Sequence, residues 1–520
     1  MAASWLKDAV FYEIYPQSFC DTNGDGIGDI QGIISKLDYI KSVGCNALWI
    51  NPWYDSPFVD AGYDVRDFKA IAPRYGTMED AVELFKVAHE KGIHVLIDLV
   101  PGHTSEEHPW FLESAKAEEN EYSDRYIWTS NAFCGGDGMP FIGGEHERDA
   151  TYVINFFKCQ PALNFGYRDI HDAGWQQPID APAPMATREA LKDVMRFWMA
   201  KGADGFRVDM ADSLVKNDGD EKIGTMEVWK DVTSDVRKDY PDMALVSEWN
   251  NPGCALNCGF DMDFCLDWYG NSYSHLVRYY QIGKDGKVSE ENSYFNHESK
   301  NDPMGFLKDF LPKYEARADG LYCMITGNHD CKRTSFNLCE EDRKLGFAFL
   351  LTMPGAPFIY YGDEIGMAYR WTPTKEGGYH RTGSRTPMQW DDSANLGFST
   401  AAAEEIYLPV DPNPGKATVA AQEADPDSML NHVRKVLELR KAHPDLGNYT
   451  PFEVVYAKEG DKLMVYKRGE YLLAVNPGME VKTFEVEGKY ELVHSFGNAT
   501  LEDGKLTVNP RTLTIWKPVK

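Results

Sequence analysis

Val95-Leu96-Ile97-Asp98-Leu99-Val100 is apolar on both faces when drawn as an extended strand. Only a sheet covered by helices on either side hides both faces at once, and parallel sheets are built that way. The chain before it alternates accordingly. Residues 10–16 read as a strand, Ile33, Ile34, Leu37 and Ile40 as a helical stripe ending near Gly44, and Ala47-Leu48-Trp49-Ile50 as a second strand. Ala81, Leu84, Phe85 and Ala88 mark a helix stopped at Gly92. Strand, helix, strand, helix, strand predicts an α/β fold, as a barrel or as an open sheet. Downstream, a helix near 188–200 is followed by strands at 205–210, 245–248, 260–264, 321–325 and 357–361. Eight strands favour a closed (β/α)8 TIM barrel.

Two stretches break the alternation. Between 104 and 186 lie Cys134-Gly135-Gly136-Asp137-Gly138, several prolines and scattered aromatics. A loop that long needs structure of its own, so we read 104–186 as a subdomain inserted after the third strand. The barrel then comprises 1–103 and 187–445. It includes a polar excursion from Gly366 to about 428 and an apolar-striped helix through Leu437. From 446 to 520 short alternating strands such as Leu463-Met464-Val465-Tyr466 and Leu472-Leu473-Ala474-Val475 predict a C-terminal antiparallel β-sandwich.

With 53 Lys and Arg against 81 Asp and Glu, the net charge of −28 argues against nucleic acid or an anionic membrane as partner. Ten cysteines in 520 residues are too sparse for a disulfide scaffold. Cys254, Cys258 and Cys265 cluster without a His at zinc spacing. The N-terminus shows no charged-then-apolar leader and no window approaches a membrane span, so we expect a cytoplasmic protein, monomeric or dimeric.

In Gly205-Phe206-Arg207-Val208-Asp209-Met210, Arg207 and Asp209 share one strand face and Phe206, Val208 and Met210 the other. A buried structural ion pair would explain that hexapeptide alone. Polar residues, however, recur where strands end, the position of catalytic groups in such barrels. Tyr63 and Asp64 follow the second strand, Asp98 and His103 end the third, Glu248 ends the fifth, and His329 and Asp330 follow the seventh. Converging carboxylates, an Arg and two His suit either a metal-held enediolate site or glycoside cleavage. The second fits better, with Arg207 keeping Asp209 ionised and Trp249 giving Glu248 an apolar neighbour.

These stretches resemble the conserved regions of the α-amylase superfamily of retaining glycoside hydrolases. Asp98-Leu99-Val100-Pro101-Gly102-His103 is similar to the first region, Gly205–Asp209 to the second, Glu248 to the third and Asn328-His329-Asp330 to the fourth. The resemblance implies Asp209 as nucleophile, Glu248 as general acid/base and Asp330 as the carboxylate gripping sugar hydroxyls. It implies Tyr63, Asp64, His103, Arg207 and His329 around the first glucose, with Asp98 structural. Gly383-Ser384-Arg385-Thr386-Pro387-Met388-Gln389-Trp390 resembles a segment of oligo-1,6-glucosidases, α-glucosidases and trehalose synthases. In those the Arg pairs with the Asp matching Asp64 and closes a blind pocket, which implies exo-action on short α-glucosides.

Asp21-Thr22-Asn23-Gly24-Asp25-Gly26-Ile27-Gly28-Asp29 spaces oxygen donors like an EF-hand, but Gly32 stands where the twelfth-position Glu would be. In oligo-1,6-glucosidase-like enzymes the loop holds a structural calcium, which implies ligation by Asp21, Asn23, Asp25, Asp29 and the Ile27 carbonyl. A metal-free turn with Asp29 capping the next helix is the alternative. Three departures from the family pattern stand out: Ala162 for its usual Asp, Cys331 after Asp330, and Met210 after Asp209. At that last position Val accompanies α-1,6 preference, and Ala or Thr accompanies α-1,4.

Overall fold

Starts and stops of the elements follow local chemistry. Helix Met78–Glu90 opens with a capping box between Thr77 and Asp80. Helices Leu37–Val43 and Pro182–Lys201 end at Gly44 and Gly202, both left-handed with φ near +115°. The computed structural model describes residues 3–519 apart from 269, 375 and 377–380. Eight parallel strands form its centre: β1 Phe11–Ile14, β2 Ala47–Ile50, β3 His94–Leu99, β4 Gly205–Val208, β5 Ala244–Ser247, β6 Met262–Phe264, β7 Leu321–Cys323 and β8 Phe358–Tyr360. They pair in the order β7-β6-β5-β4-β3-β2-β1-β8. A parallel bridge from Ile325 to Phe358 closes the ends, giving the (β/α)8 barrel.

Gly205 is required where it stands. Its φ is +149°, and a Cβ there would lie 1.8 Å from the Ala244 carbonyl oxygen, so β4 and β5 approach closely only without a side chain. From that start Phe206 and Val208 turn out into the helix layer while Arg207 turns in, fully buried.

The stretch after β3 carries helix Pro109–Ser114, a hairpin of Phe141–Gly143 with Thr151–Val153, and a small core of Ile127, Val153, Ala162 and Tyr167. Ala162 is wholly buried in that core, where an Asp would need a partner. Helix Pro182–Lys201 begins before the boundary read at 187. Its two early prolines, which signal a break in sequence, sit in the first turn, where a missing N–H costs nothing.

At the C-terminus a five-stranded and a three-stranded antiparallel sheet stack together. Leu463, Val465, Leu472 and Ala474 pack against Leu506, Val508 and Trp516 between them, while Met464, Tyr466, Leu473 and Val475 join the barrel core. The period of two thus serves two interfaces. Two buried arginines brace the 351–355 loop. Arg440 of helix Met429–Ala442 donates to the carbonyls of Leu351, Met353 and Gly355 at 2.6–2.8 Å. Arg468, from the five-stranded sheet, donates to the carbonyls of Thr352 and Gly447. All ten cysteines are free thiols. Among the described residues no helix is long and apolar enough to cross a membrane.

Candidate active site

The carboxyl ends of β3, β4 and β5 converge on the guanidinium of Arg207. Its Nη1 donates to Asp98 Oδ1 at 2.7 Å and to Asp209 Oδ1 at 3.0 Å, and its Nη2 lies 2.9 Å from Glu248 Oε2. Met210, in the left-handed region at φ +41°, turns its N–H onto the same Glu248 oxygen at 2.9 Å. Asp209 and Glu248 therefore stand side by side on one cation. Trp249 meets Phe260 edge-on, with ring centroids 6.5 Å apart.

Three carboxylates sharing one cation leave excess negative charge. Burial, and then the charge of Glu248, push the Asp209 carboxyl well above its ordinary range, with Arg207 opposing. This runs against the expectation that Arg207 keeps Asp209 ionised: its charge is divided among three acids. Asp98 beneath them is raised by burial to about 6, against Arg207 and the Trp49 indole at 2.8 Å.

Across the mouth, Asp330 follows β7. Arg381 and Arg385 both donate to its Oδ1, at 3.0 and 2.9 Å, and His329 Nε2 lies 3.3 Å from Oδ2. Burial alone would raise this carboxyl; His329, Arg381 and Arg385 outweigh it and hold it below the usual range. His329 is itself pushed well below its ordinary value by burial, and its Nε2 meets the Tyr63 hydroxyl at 2.8 Å. His103, lowered by burial to about 4, is neutral. Its Nε2–H donates to the Tyr63 carbonyl at 3.1 Å, so Nδ1 accepts from Asn155 Nδ2, also at 3.1 Å.

Tyr63, Asp98, His103, Arg207, Asp209, Glu248, His329, Asp330 and Arg385 thus come together at one mouth, but Asp64 does not. Its carboxylate accepts from the N–H groups of Val59 and Asp60 at 2.8 and 2.9 Å and from the Ser56 hydroxyl at 3.1 Å. It folds the loop that presents its neighbours. The expected Arg385–Asp64 pair is replaced by one four residues upstream on each side: Arg381 lies 2.9 Å from Asp60 Oδ1 and bridges it to Asp330. Gln160 of the inserted stretch holds the other Asp60 oxygen at 2.8 Å. Asp60 and Arg381 were missed because spacing inside irregular loops carries no register; their acid and cation types were the available signal. Glu13, on β1 and 2.9 Å from His329 Nδ1, was hidden inside an apolar strand.

In the 21–29 loop the side-chain oxygens accept from the loop's own backbone. Gly26, at φ +87°, donates its N–H to Asp21 Oδ2 at 2.8 Å. Asp25 and Ile27 N–H groups close turns onto Asn23 and Asp25 at 2.9 Å. Asp29 also caps the next helix through Gly32 N–H at 2.6 Å. An all-oxygen donor set around a tight glycine turn fits a hard cation such as calcium.

Residues 13–448 match the alpha-amylase family model, described as the alpha amylase catalytic domain. The oligo-1,6-glucosidase of Parageobacillus thermoglucosidasius is 32% identical over 522 residues, covering 88% of this chain and 86% of its own. Trehalose synthase/amylase TreS of Mycobacterium tuberculosis is 32% identical over 525 residues, covering 91% and 82%. Among solved structures, a MutB inactive double mutant in complex with isomaltulose aligns with a TM-score of 0.80 at 27% identity, covering 99% of both chains.

Proposed function

The chain belongs to the alpha-amylase catalytic-domain family, and from that premise we propose that it is a retaining, exo-acting α-glucosidase that removes terminal α-linked glucose from short α-gluco-oligosaccharides. The observation that carries this reading is the shared cation: Asp209 and Glu248 flank Arg207 while Arg381 ties Asp60 to Asp330 opposite them. Side-by-side carboxylates serve a double displacement, which places the two carboxyl groups roughly 5–5.5 Å apart. Asp209 attacks the anomeric carbon as Glu248 gives its proton to the leaving oxygen. Glu248 then takes a proton from water, which releases the glucosyl group from Asp209 with net retention. The Asp60–Arg381 bridge supports a blind pocket and hence action at chain ends.

A second reading, transfer of the glucosyl group to a sugar acceptor, is favoured by the likeness to TreS and to isomaltulose-bound MutB. Incubation with isomaltose, maltose, sucrose, trehalose and nigerose separates the two. Free glucose as the accumulating product supports hydrolysis; rearranged disaccharides or longer oligosaccharides overturn it in favour of transfer. We also propose calcium bound by Asp21, Asn23, Asp25, Asp29 and the Ile27 carbonyl as a structural ion, and a cytoplasmic location, which suits ten unpaired thiols.

A further inference from the structure

Away from the sugar pocket, the chain before helix Met304–Ala316 and the start of helix Glu340–Leu350 bring three different donor atoms together. Among the described residues, His297, Cys339 and Asp342 are the one group of three or more His, Cys, Asp or Glu side chains whose donor atoms all lie within 4.8 Å of one another. His297 Nδ1 is 2.8 Å from Asp342 Oδ2. The other Asp342 oxygen is buried without a hydrogen-bond partner. Cys339 is exposed at the head of the helix. Arg511 reaches in from the C-terminal sheets, its Nη2 donating towards Cys339 Sγ at 4.0 Å and its Nε 3.5 Å from Asp342 Oδ1.

We propose that His297, Cys339 and Asp342 form a binding site for a divalent metal of the zinc class, with water in the fourth position. A His–Asp hydrogen bond by itself accounts for two of the residues. It leaves Asp342 Oδ1 with the Arg511 ion pair at 3.5 Å but no hydrogen bond, and does not account for the Cys339 thiol beside it. One nitrogen, one sulfur and one oxygen ligand suit borderline zinc, whereas calcium and magnesium take oxygen alone. On binding, the Cys339 S–H bond breaks, its proton leaves to solvent, and a metal–sulfur bond forms; the proton on His297 Nδ1 moves by way of solvent to Nε2, which frees Nδ1 and the Asp342 carboxylate for the ion. Arg511 then serves as the outer partner that metal-bound thiolates and carboxylates require, donating N–H groups to both. The ion would fasten the 297 loop to the 340–350 helix, and Arg511 would carry that tie to the C-terminal sheets.

Cobalt(II) tests this on the full-length, chelator-treated protein, because sulfur-to-cobalt charge transfer absorbs strongly in the near ultraviolet only when a thiolate is bound. The expected result is one cobalt per chain with that absorption, displaced by zinc, together with a higher Tm in zinc than in chelator. Cys339→Ser, at an exposed position, should abolish the absorption and the zinc-dependent Tm rise. His297→Ala should weaken binding, and Arg511→Gln should weaken it about tenfold. Circular dichroism checks that each variant is folded. Absorption unchanged in Cys339→Ser, uptake without a sulfur band, or no uptake would each overturn the site.

Discussion

Replacing Arg385 with methionine should lower stability and catalysis by amounts that can be measured apart. The guanidinium is completely buried and donates to the His329 carbonyl and to Asp330 Oδ1, both at 2.9 Å, with Glu376 3.8 Å away. Removing one member of a buried pair costs about 3–5 kcal/mol. Arg381 still holds the same Asp330 oxygen at 3.0 Å, which places the loss at the lower end, about 3 kcal/mol. Calorimetry should show this as a fall of about 3 °C in Tm. Asp330 would also lose one of the cations that keep it ionised and aimed. A charge-assisted hydrogen bond contributes about 1.5–3 kcal/mol, so kcat/KM on an aryl α-glucoside should drop about 10- to 100-fold. The sign of the pH effect follows from the depressed carboxyl. Its stabilising contribution is present above the unfolded value, about 4, and is lost as pH falls through the folded value. With Arg385 gone that folded value rises, so the acid limb of activity moves to higher pH. A folded Arg385→Met protein with wild-type kcat/KM and an unmoved acid limb would refute the role given to Asp330.

Asp209→Asn should abolish hydrolysis of every α-glucoside. Glu248→Gln should cost about 10²–10⁴-fold on disaccharides but less on aryl glucosides, whose leaving groups need no proton; equal losses on both would remove Glu248 as the acid. Asp263, inside the barrel, is pushed up to about 7 by burial, with Ser247 and the Asn250 N–H on Oδ1 and no hydrogen-bond partner for Oδ2. A raised carboxyl stabilises fully below the unfolded value and loses that contribution as pH climbs through the folded one. Asp263→Asn should therefore match the stability of wild type at pH 4 and exceed it at pH 8, by at most about 4 kcal/mol; the same difference at both pH values would contradict this. Calcium should raise the Tm by a few degrees and Asp21→Ala should cancel the rise; indifference to calcium and chelator would remove the ion from the 21–29 loop.

The barrel was legible because each of its strands is a short apolar run and most carry a charged residue at the same end. Arg207, Asp209, Glu248 and Asp330 could be placed together from that alone, since strand ends meet wherever the strands close. Loop partners could not. Asp64 and Asp60 are four residues apart in one loop, as are Arg385 and Arg381 in another, and which pair meets depends on how the Ser56 hydroxyl and two backbone N–H groups fold the first loop. Glu13 was overlooked because one acid in an apolar strand matters only once His329, hundreds of residues away, is packed against it. The division of Arg207 among three carboxylates was likewise invisible, although it reverses the direction in which the titration of Asp209 moves.

Arg440 and Arg468 have a practical bearing on how this protein can be cut. Their donors feed the carbonyl oxygens of 351–353, 355 and 447, and Asn448 continues the chain of contacts to the Leu6 and Ala9 carbonyls. Truncation near 446 would strand the Thr352, Leu6 and Ala9 carbonyls that Arg468 and Asn448 now satisfy, and bare the apolar row that Met464, Tyr466, Leu473 and Val475 now cover. A minimal catalytic fragment is therefore not to be had by deleting the tail, and the intact chain should melt in one cooperative step.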